Sequence, residues 1–255
     1  MEALQRRGKI SRNRWWPAGL LLLLVLSFSA CSTAPPPPSV AGGPGGRAAW
    51  EELSRVTALK ATAILAWEAA DGRHGKNRVR LFLEPPECLK IQWLTPWGSV
   101  AGQLLVAGGH FWLSDARRHQ TWYGRTSAMA GCFPSQGEVD WVSTSRFLNF
   151  WPLLFSPPEE DEKLAPGGRI SYAGSLAANR LVKEVVLADG DRVGIILEEL
   201  EAGPQDKFFA RRFTVSGPGG KVVLQLRSYQ LLDRLPAETF IYQGKNFNLY
   251  PCMDE

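Results

Sequence analysis

Apolar and polar residues alternate along most of this chain, and this period of two residues is the feature that most constrains its fold. In TALKATAILAWEA, residues 57–69, one face of an extended strand would carry Leu59, Ala61, Ala63, Leu65 and Trp67. The pattern returns in RVRLFLE and CLKIQWL, and turn signals such as DG and GPGG separate such segments. The sequence therefore predicts a mainly β fold of about a dozen short antiparallel strands.

Nine further segments carry strand signals of the same kind. They are SVAGQLLVA, HFWLSD, QTWYG, GRISYAG, NRLVKEVVLAD, RVGIILEEL, KFFARRFTVSG, KVVLQLRSY and AETFIYQ. Short turns connect most of them, so strands that are neighbours in sequence are expected to pair with one another.

Two segments depart from this alternation and are spaced like helices. Residues 47–56, RAAWEELSRV, place Trp50, Leu53 and Val56 on one stripe of a short amphipathic helix. Residues 138–155 place an apolar set on one side of a longer helix: Trp141, Phe147, Leu148, Trp151 and Leu154. An apolar helix inserted between strands must pack on the sheet, so it is predicted to plug or cover a concave face. The acidic run that follows, residues 159–162, is predicted to be a solvated loop, since it lacks the spacing of a calcium site.

The N-terminal 30 residues have the pattern of a secretory signal peptide. Basic residues precede an apolar run from Ala18 to Ala30 that is too short to span a membrane comfortably. The sequence Phe28-Ser29-Ala30-Cys31 resembles the lipobox of bacterial lipoproteins, although Phe replaces the usual Leu. That resemblance implies that Cys31 becomes the acylated first residue of the mature protein. The alternatives are an ordinary signal peptide followed by an unrelated Cys, and an uncleaved anchor helix.

A Pro/Gly-rich segment, STAPPPPSVAGGPGG, follows Cys31 and makes residues 31–46 an extended tether in this interpretation. Residues 47–255 are long enough for one domain with a sizeable core. The chain has 29 Lys and Arg against 25 Asp and Glu, but removal of residues 1–30 leaves 24 of each. A mature chain without net charge lacks the clustered positive surplus that nucleic-acid binding needs, so no such partner is expected.

The sequence contains no recognisable catalytic or metal-binding constellation. None of the three histidines lies near a nucleophile motif, and no GxSxG, HExxH or P-loop pattern is present. Cys88, Cys132 and Cys252 are widely spaced and include no CxxC pair that would suggest a metal. Either Cys132 and Cys252 form a disulfide, or all three thiols stay free and buried. We therefore expect a protein that is not an enzyme and needs no metal or cofactor.

Aromatic and aliphatic side chains are in surplus on the predicted strands. Ten tryptophans are present, of which Trp15 and Trp16 would leave with the signal peptide. Such side chains either fill an ordinary core or line an apolar cavity on a half-open sheet. The face expected to look into such a cavity carries Leu65, Trp67, Leu81, Leu83, Ile91 and Trp93. A shift of one residue in any strand would turn its members to the other face.

Several stretches resemble the lipoprotein-localisation family, which includes the outer-membrane receptor LolB and, more distantly, the periplasmic carrier LolA. WEELSRVTALKATAILAWE is followed by LKIQWLTPWGSVAGQLLVAGGHFWLSD. In the family, a strand of the form LxLxxPLG ends in a loop with a projecting Leu, and Trp97 stands at that position here. Leu104, Gly109, Leu113 and Asp115 follow in the matching order. The C-terminal GPGGKVVLQLRSYQLLDRLPAETFIY is similar to the family's closing strands, whereas residues 125–206 match poorly.

This resemblance implies a half-open antiparallel β-barrel of about eleven strands, with a short N-terminal helix and an inserted helix covering the concave face. It implies an apolar cavity for acyl chains of lipoproteins or lipid, and a periplasmic carrier protein as a partner. Lipidated Cys31 would attach the protein to the periplasmic face of the outer membrane. The loop Pro96-Trp97-Gly98 would contact the membrane there, a depth that suits Trp because its N–H stays hydrated while its ring is apolar.

The sequence leaves two questions open. Trp97 either packs back onto the core, as a large apolar residue commonly does, or points outward. A structural or assembly lipoprotein with the same fold and a filled core is the alternative to a protein that binds acyl chains. An envelope hydrolase is disfavoured by the missing catalytic constellation.

Overall fold

The chain folds around one sheet of twelve strands in the computed structural model, which describes residues 44–53, 55–128, 132, 151–203, 207–244 and 246–252. The strands are β1 (Ala58–Ala69), β2 (His74–Glu84), β3 (Cys88–Leu94), β4 (Val100–Ala107), β5 (His110–Asp115), β6 (Gln120–Arg125), β7 (Arg169–Ser175), β8 (Arg180–Val186), β9 (Arg192–Ala202), β10 (Phe208–Gly217), β11 (Gly220–Leu232) and β12 (Asn248–Pro251). The helices are α1 (Pro44–Glu51) and α2 (Pro158–Leu164). Residues 151–155 are also helical, and short 3-10 turns cover Thr126–Ala128 and Ala237–Phe240.

Two meanders make up the sheet. One runs from β1 to β6 and the other from β7 to β11, and β1 pairs with β11 to join them. Strands β12 and β7 are the two edges of the sheet, so it does not close on itself. The prediction of a mainly β fold with an open, largely antiparallel sheet is confirmed, with twelve strands where about eleven were expected.

The alternation that predicted the strands also determines which face is buried. In β1, the residues from Leu59 to Leu65 alternate between the core and the outer face, and Leu65 is 1% exposed. Leu81 of β2 lies opposite Ala61, so the same face continues across the sheet. Burial of one such leucine contributes about 1.5–3 kcal/mol relative to an exposed position. The hydrophobic core therefore lies on one face of the sheet.

Helical segments cover that face. Trp50 of α1 and Trp151, Leu153 and Leu154 of the 151–155 segment belong to the core. Gly46 permits α1 to lie against β7, because a Cβ there would come within 2.6 Å of a backbone oxygen. Residues 151–155 thus cover part of the apolar face, as predicted for this segment.

Helix α1 differs from its predicted bounds at both ends. It begins at Pro44, inside the segment predicted to be tether, because the fixed φ of proline suits the first position of a helix. It ends at Glu51 rather than at Val56, because the chain then turns to meet β10. The N–H of Phe208 donates to the Glu52 carbonyl at 3.0 Å, and Leu53 forms a bridge to Phe208.

The C-terminal segment differs most from its prediction. AETFIYQ is not a strand, because Ala237–Phe240 forms a 3-10 turn on the outer face of the sheet. Lys90 Nζ donates to the Thr239 carbonyl there at 2.9 Å, and the Tyr242 ring stacks on Trp112 with centroids 6.1 Å apart. The chain then forms β12, which no pattern predicted and which pairs with β6 in parallel, unlike every other pair in the sheet.

A disulfide fixes the end of this segment. Cys132 and Cys252 are bonded, with Cα atoms 5.7 Å apart, so the first of the two alternatives for these cysteines holds. Cys88 is free, and burial raises the pKa of its thiol.

All described helices and strands lie in one compact unit, Ala41–Glu255, which contains the whole core. A unit with its own core meets the physical condition for folding alone. Among the described residues, no helix is both long enough and apolar enough to cross a bilayer.

Candidate functional site

The turn between β3 and β4 is held by a compact set of hydrogen bonds. Gly98 N–H donates to the Thr95 carbonyl at 2.9 Å, and Thr95 N–H donates to the Ser99 carbonyl at 2.8 Å. Pro96 supplies the fixed φ that favours this position of a turn. Gly98 has φ 83°, a left-handed conformation that glycine adopts without strain. The backbone therefore fixes the direction in which Trp97 leaves the turn.

Trp97 points into solvent. Its side chain is 93% exposed, whereas Trp93, four residues earlier on the same hairpin, is 1% exposed. Val100, on the other side of the turn, is 36% exposed. The outward alternative for Trp97 is therefore the observed one, while its contact with a membrane stays a prediction. An indole that combines an apolar ring with a polar N–H is typical of membrane interfaces.

A second apolar site lies at the opposite end of the sheet, where the α1–β1 connection meets the start of β10. It is a cleft of about 80 Å³. Its walls include Trp50, Leu154, Phe155, Phe208, Phe209 and Phe213. The Phe213 ring lies 5.3 Å from the Phe155 ring and 6.0 Å from the Phe209 ring, centroid to centroid. Five aromatic side chains thus share the lining of this small, partly open cleft with polar residues such as Arg55, Ser156 and Glu159.

An exposed ion pair stands at the mouth of the cleft. Arg55, between α1 and β1, is 2.6 Å from Glu159 of α2, and their side chains are 73% and 53% exposed. Exposed pairs of this kind contribute at most about 1 kcal/mol, so this contact opens at little cost. Deeper in the cleft wall, the buried indole N–H of Trp50 has no hydrogen-bond partner among the described residues.

A buried ion pair holds α2 against the sheet beside this cleft. Lys183 of β8 and Asp161 of α2 are both fully buried, with Nζ 2.7 Å from Oδ2. Lys183 also donates to the Leu153 carbonyl at 2.9 Å, and its Nζ lies 4.4 Å from the centre of the Trp50 ring. Burial lowers the pKa of Lys183 to about 8, although the carboxylate beside it favours the charged form.

The carboxylate of Asp161 is fully engaged. It accepts hydrogen bonds from the hydroxyls of Ser156 and Tyr172 in addition to those from Lys183. The prediction that residues 159–162 form a solvated loop is therefore wrong: they belong to α2, and one of their carboxylates is buried because three donors from three segments surround it. Sequence reasoning missed the pair, although Lys183 lies between Leu181 and Val185 at an inward position of a strand.

The six residues predicted to line a cavity all lie on the buried face of β1, β2 and β3. Five are at most 2% exposed and Trp67 is half-buried: Leu65, Trp67, Leu81, Leu83, Ile91 and Trp93. They pack within the core, and the cleft is lined by a different set from α1, the 151–159 region, β9 and β10. Their role as a ligand face stays a prediction.

Of the segment predicted to be a covering helix, the structure describes residues 151–155. Trp151 is 4% exposed and lies in the core. Trp141, Phe147 and Leu148 lie outside the described residues, as does the predicted lipidation site Cys31.

Comparison with known proteins gives similarity of fold. No family model and no curated protein sequence matches the chain. A LolA superfamily protein from Nitrosomonas europaea is 12% identical, with 76% of this chain and 94% of that chain covered and a TM-score of 0.45. A putative outer membrane lipoprotein-sorting protein domain from Vibrio parahaemolyticus is also 12% identical, with 76% and 95% covered and a TM-score of 0.47. At such identities and TM-scores these likenesses carry no conclusion about the function of this chain.

Proposed function

We propose that this protein is an outer-membrane-anchored lipoprotein, not an enzyme, that binds acyl chains of lipids or lipoproteins and assists the localisation of lipoproteins to the outer membrane. The observation that carries the proposal is the presence of two apolar sites at opposite ends of one sheet. One is the cleft with five aromatic side chains in its lining, and the other is Trp97 at 93% exposure on a rigid turn. Cys31 would supply the anchor on the periplasmic face, and a periplasmic carrier would deliver the client.

Acyl-chain binding follows from the lining of the cleft. Each buried methylene contributes about 0.8 kcal/mol, so even a short stretch of chain against these rings gives useful affinity. A cleft of about 80 Å³ takes only the end of a chain. Entry of an acyl chain into the cleft and its release to a membrane need no covalent step.

The binding site is tested with a fluorescent fatty-acid analogue and the chain Ala41–Glu255. Phe208→Asp places a charge on a half-buried cleft residue and should weaken binding at least about tenfold, because a chain would then contact a desolvated carboxylate. Ile241→Asp is the matched control, since Ile241 is 56% exposed and does not line the cleft. Equal affinity of the two variants would show that the cleft is not the site.

Delivery is tested in cells that depend on the full-length protein. Trp97→Glu should leave the unfolding midpoint unchanged and abolish the arrival of client lipoproteins in the outer membrane. Depletion of the wild-type protein should have the same effect. Normal localisation after depletion would refute the proposed role.

The lipid anchor is tested by labelled palmitate. Wild-type protein should incorporate the label and Cys31→Ala should not. Equal labelling of the two proteins would exclude acylation at Cys31.

One observation favours a second function, that of a scaffold with a filled core. The six residues predicted to face a cavity are packed together, five of them at most 2% exposed. A purified protein that retains no acyl chain and takes up no labelled lipoprotein would support the scaffold.

A further inference from the structure

Exposed cations lie beside Trp97 on one side of its hairpin. The outward face of β2 carries Lys76 and Arg78, which are exposed and alternate with the buried Val79. The register pairs Arg78 with Leu94, the last residue of β3, so both cations lie next to the base of the Trp97 turn. Arg73 is exposed in the β1–β2 turn at the same end of the sheet.

Two more cations lie on the other side of the hairpin. The β5–β6 turn lies against the start of β4, because Ala116 N–H donates to the Ala101 carbonyl at 3.0 Å. This contact places the exposed Arg117 and Arg118 next to Val100. Trp97 therefore projects between two groups of cations that come from separate turns.

Local hydrogen bonds hold these turns in place. Asp115 Oδ1 accepts the backbone N–H groups of Arg117 and Arg118 at 2.9 and 3.1 Å. Asp71 Oδ2 lies 2.8 Å from Arg73 Nε. Asp115 Oδ2 also lies 3.7 Å from Arg118 Nε, and Glu68 is exposed near the end of β1. These three carboxylates offset part of the charge of the five cations and leave a positive surplus around Trp97.

The positive charge is local to this part of the molecule. The β8–β9 turn at the same end of the sheet carries Asp189 and Asp191. The chain after residue 30 has 24 basic and 24 acidic side chains, so the surplus beside Trp97 reflects placement rather than composition.

We propose that this end of the sheet binds selectively to membrane surfaces that carry anionic lipids. The proposal rests on the membrane contact assigned above to Trp97, and it adds the charge of the lipid. The ring would enter the interface while the cations reach headgroup phosphates, as long basic side chains do at membrane surfaces. These cations are Arg73, Lys76, Arg78, Arg117 and Arg118. An acidic protein offers the same charge, but a ring at the tip of a turn suits entry into a deformable layer.

The test measures binding of Ala41–Glu255 to vesicles of phosphatidylcholine alone and to vesicles with about 30% phosphatidylglycerol, a composition that gives a negative surface potential. Wild-type protein should prefer the anionic vesicles, and a rise from about 50 mM to about 500 mM NaCl should remove most of that preference. Lys76→Gln/Arg78→Gln and Arg117→Gln/Arg118→Gln should each weaken anionic binding about 20- to 30-fold at low salt, from about fivefold per cation.

The matched control is Arg169→Gln/Arg192→Gln, which removes two exposed cations on β7 and β9, far from the hairpin in the sheet order. It should leave vesicle binding unchanged. Equal wild-type affinity for both vesicle types, or loss of binding in the control as large as in the test variants, overturns the proposal. If Trp97→Glu abolishes binding to both vesicle types while the charge variants behave as wild type, the membrane contact stands and only its lipid selectivity fails. Charge variants that keep anionic binding but lose binding to an acidic protein would assign the cations to a protein partner.

Discussion

Trp97 at one end of the sheet is 93% exposed, while Phe209 and Phe213 at the other end are at most 3% exposed. The two ends differ in what surrounds them. Among the described residues, only hydrogen bonds within one turn support Trp97, whereas segments from three distant parts of the chain surround the phenylalanines. Whether an aromatic side chain is buried in this protein depends on whether distant segments of the chain pack over it, not on its own hydrophobicity. The cleft end should therefore carry stability, and the Trp97 end should tolerate change.

The largest effect on the free energy of unfolding is expected from the buried Lys183–Asp161 pair, which holds α2 against the sheet beside the cleft. Lys183→Met leaves Asp161 charged and without its cation, which should cost about 3–5 kcal/mol in the free energy of unfolding. The double variant Lys183→Met/Asp161→Leu should cost less, because no buried charge remains. Urea unfolding of Ala41–Glu255 measures both values.

The control for this pair is Arg192→Met, which breaks an exposed contact of 3.5 Å with Glu184, the neighbour of Lys183 on β8. It should cost no more than about 0.5 kcal/mol. A Lys183 variant as stable as this control would show that the pair does not hold α2 against the sheet.

Loss of one apolar side chain of the 151–155 segment should have a slightly smaller effect on the free energy of unfolding. Leu154 is 2% exposed and lines the cleft, so Leu154→Ala should cost about 3 kcal/mol and enlarge the cleft. Thermal unfolding checks the loss. A stability within error of the wild type would mean that the 151–155 segment does not pack on the sheet in solution.

The cleft end should also show a pH dependence. The pKa of Lys183 is lowered by burial from its ordinary 10.5 to about 8, so between these values the unfolded chain binds a proton that the folded protein has released. Stability should therefore rise with pH from about 8 towards 10, by at most about 1.4 kcal/mol per pH unit. Above 10 the raised pKa of Tyr229, about 12, acts in the opposite sense, so the measurement stops there.

The pH series is recorded by urea unfolding for the wild type and for Lys183→Met, and the difference between the two curves isolates Lys183. Parallel curves for the two proteins from pH 8 to 10 would show that the Lys183 ammonium is not penalised by burial.

The smallest effect on stability is expected at the other end. Trp97→Ala should change the free energy of unfolding by less than about 0.5 kcal/mol, because its side chain makes little contact in the folded state. Its binding to vesicles should fall strongly, whereas Ile241→Ala, another exposed apolar position, should change neither property. A Trp97 variant with lowered stability would mean that the ring packs on the core in solution.

The contrast between the two ends also marks how far the sequence could predict this protein. Alternation identified the strands and the buried face from Leu59 to Leu65, because a half-buried strand imposes that period locally. The Pro-Trp-Gly turn was visible for the same reason, since turn chemistry is local. The outward direction of Trp97 remained open, because it depends on the absence of cover above the turn.

Features built from distant segments were missed. Asp161 and Lys183 are 22 residues apart and come from a helix and a strand, so no spacing rule links them. Strand β12 has four exposed residues without alternation, and its pairing with β6 is its reason to be extended. The cleft combines residues near 50, 155 and 210, and its existence follows only from their assembly.

The pairing of β1 with β11 has a consequence for how the chain reaches this state. The seam runs from Ala58 opposite Leu232 to Ala69 opposite Gly220, so the first strand stays without this partner until β2 to β10 have been synthesised. Until then, β1 is an unpaired edge that can recruit other chains. Folding that must close so long a loop is slow, and this gives a molecular chaperone time to bind the unfolded chain. A chain that stops before β11 would leave the seam permanently open.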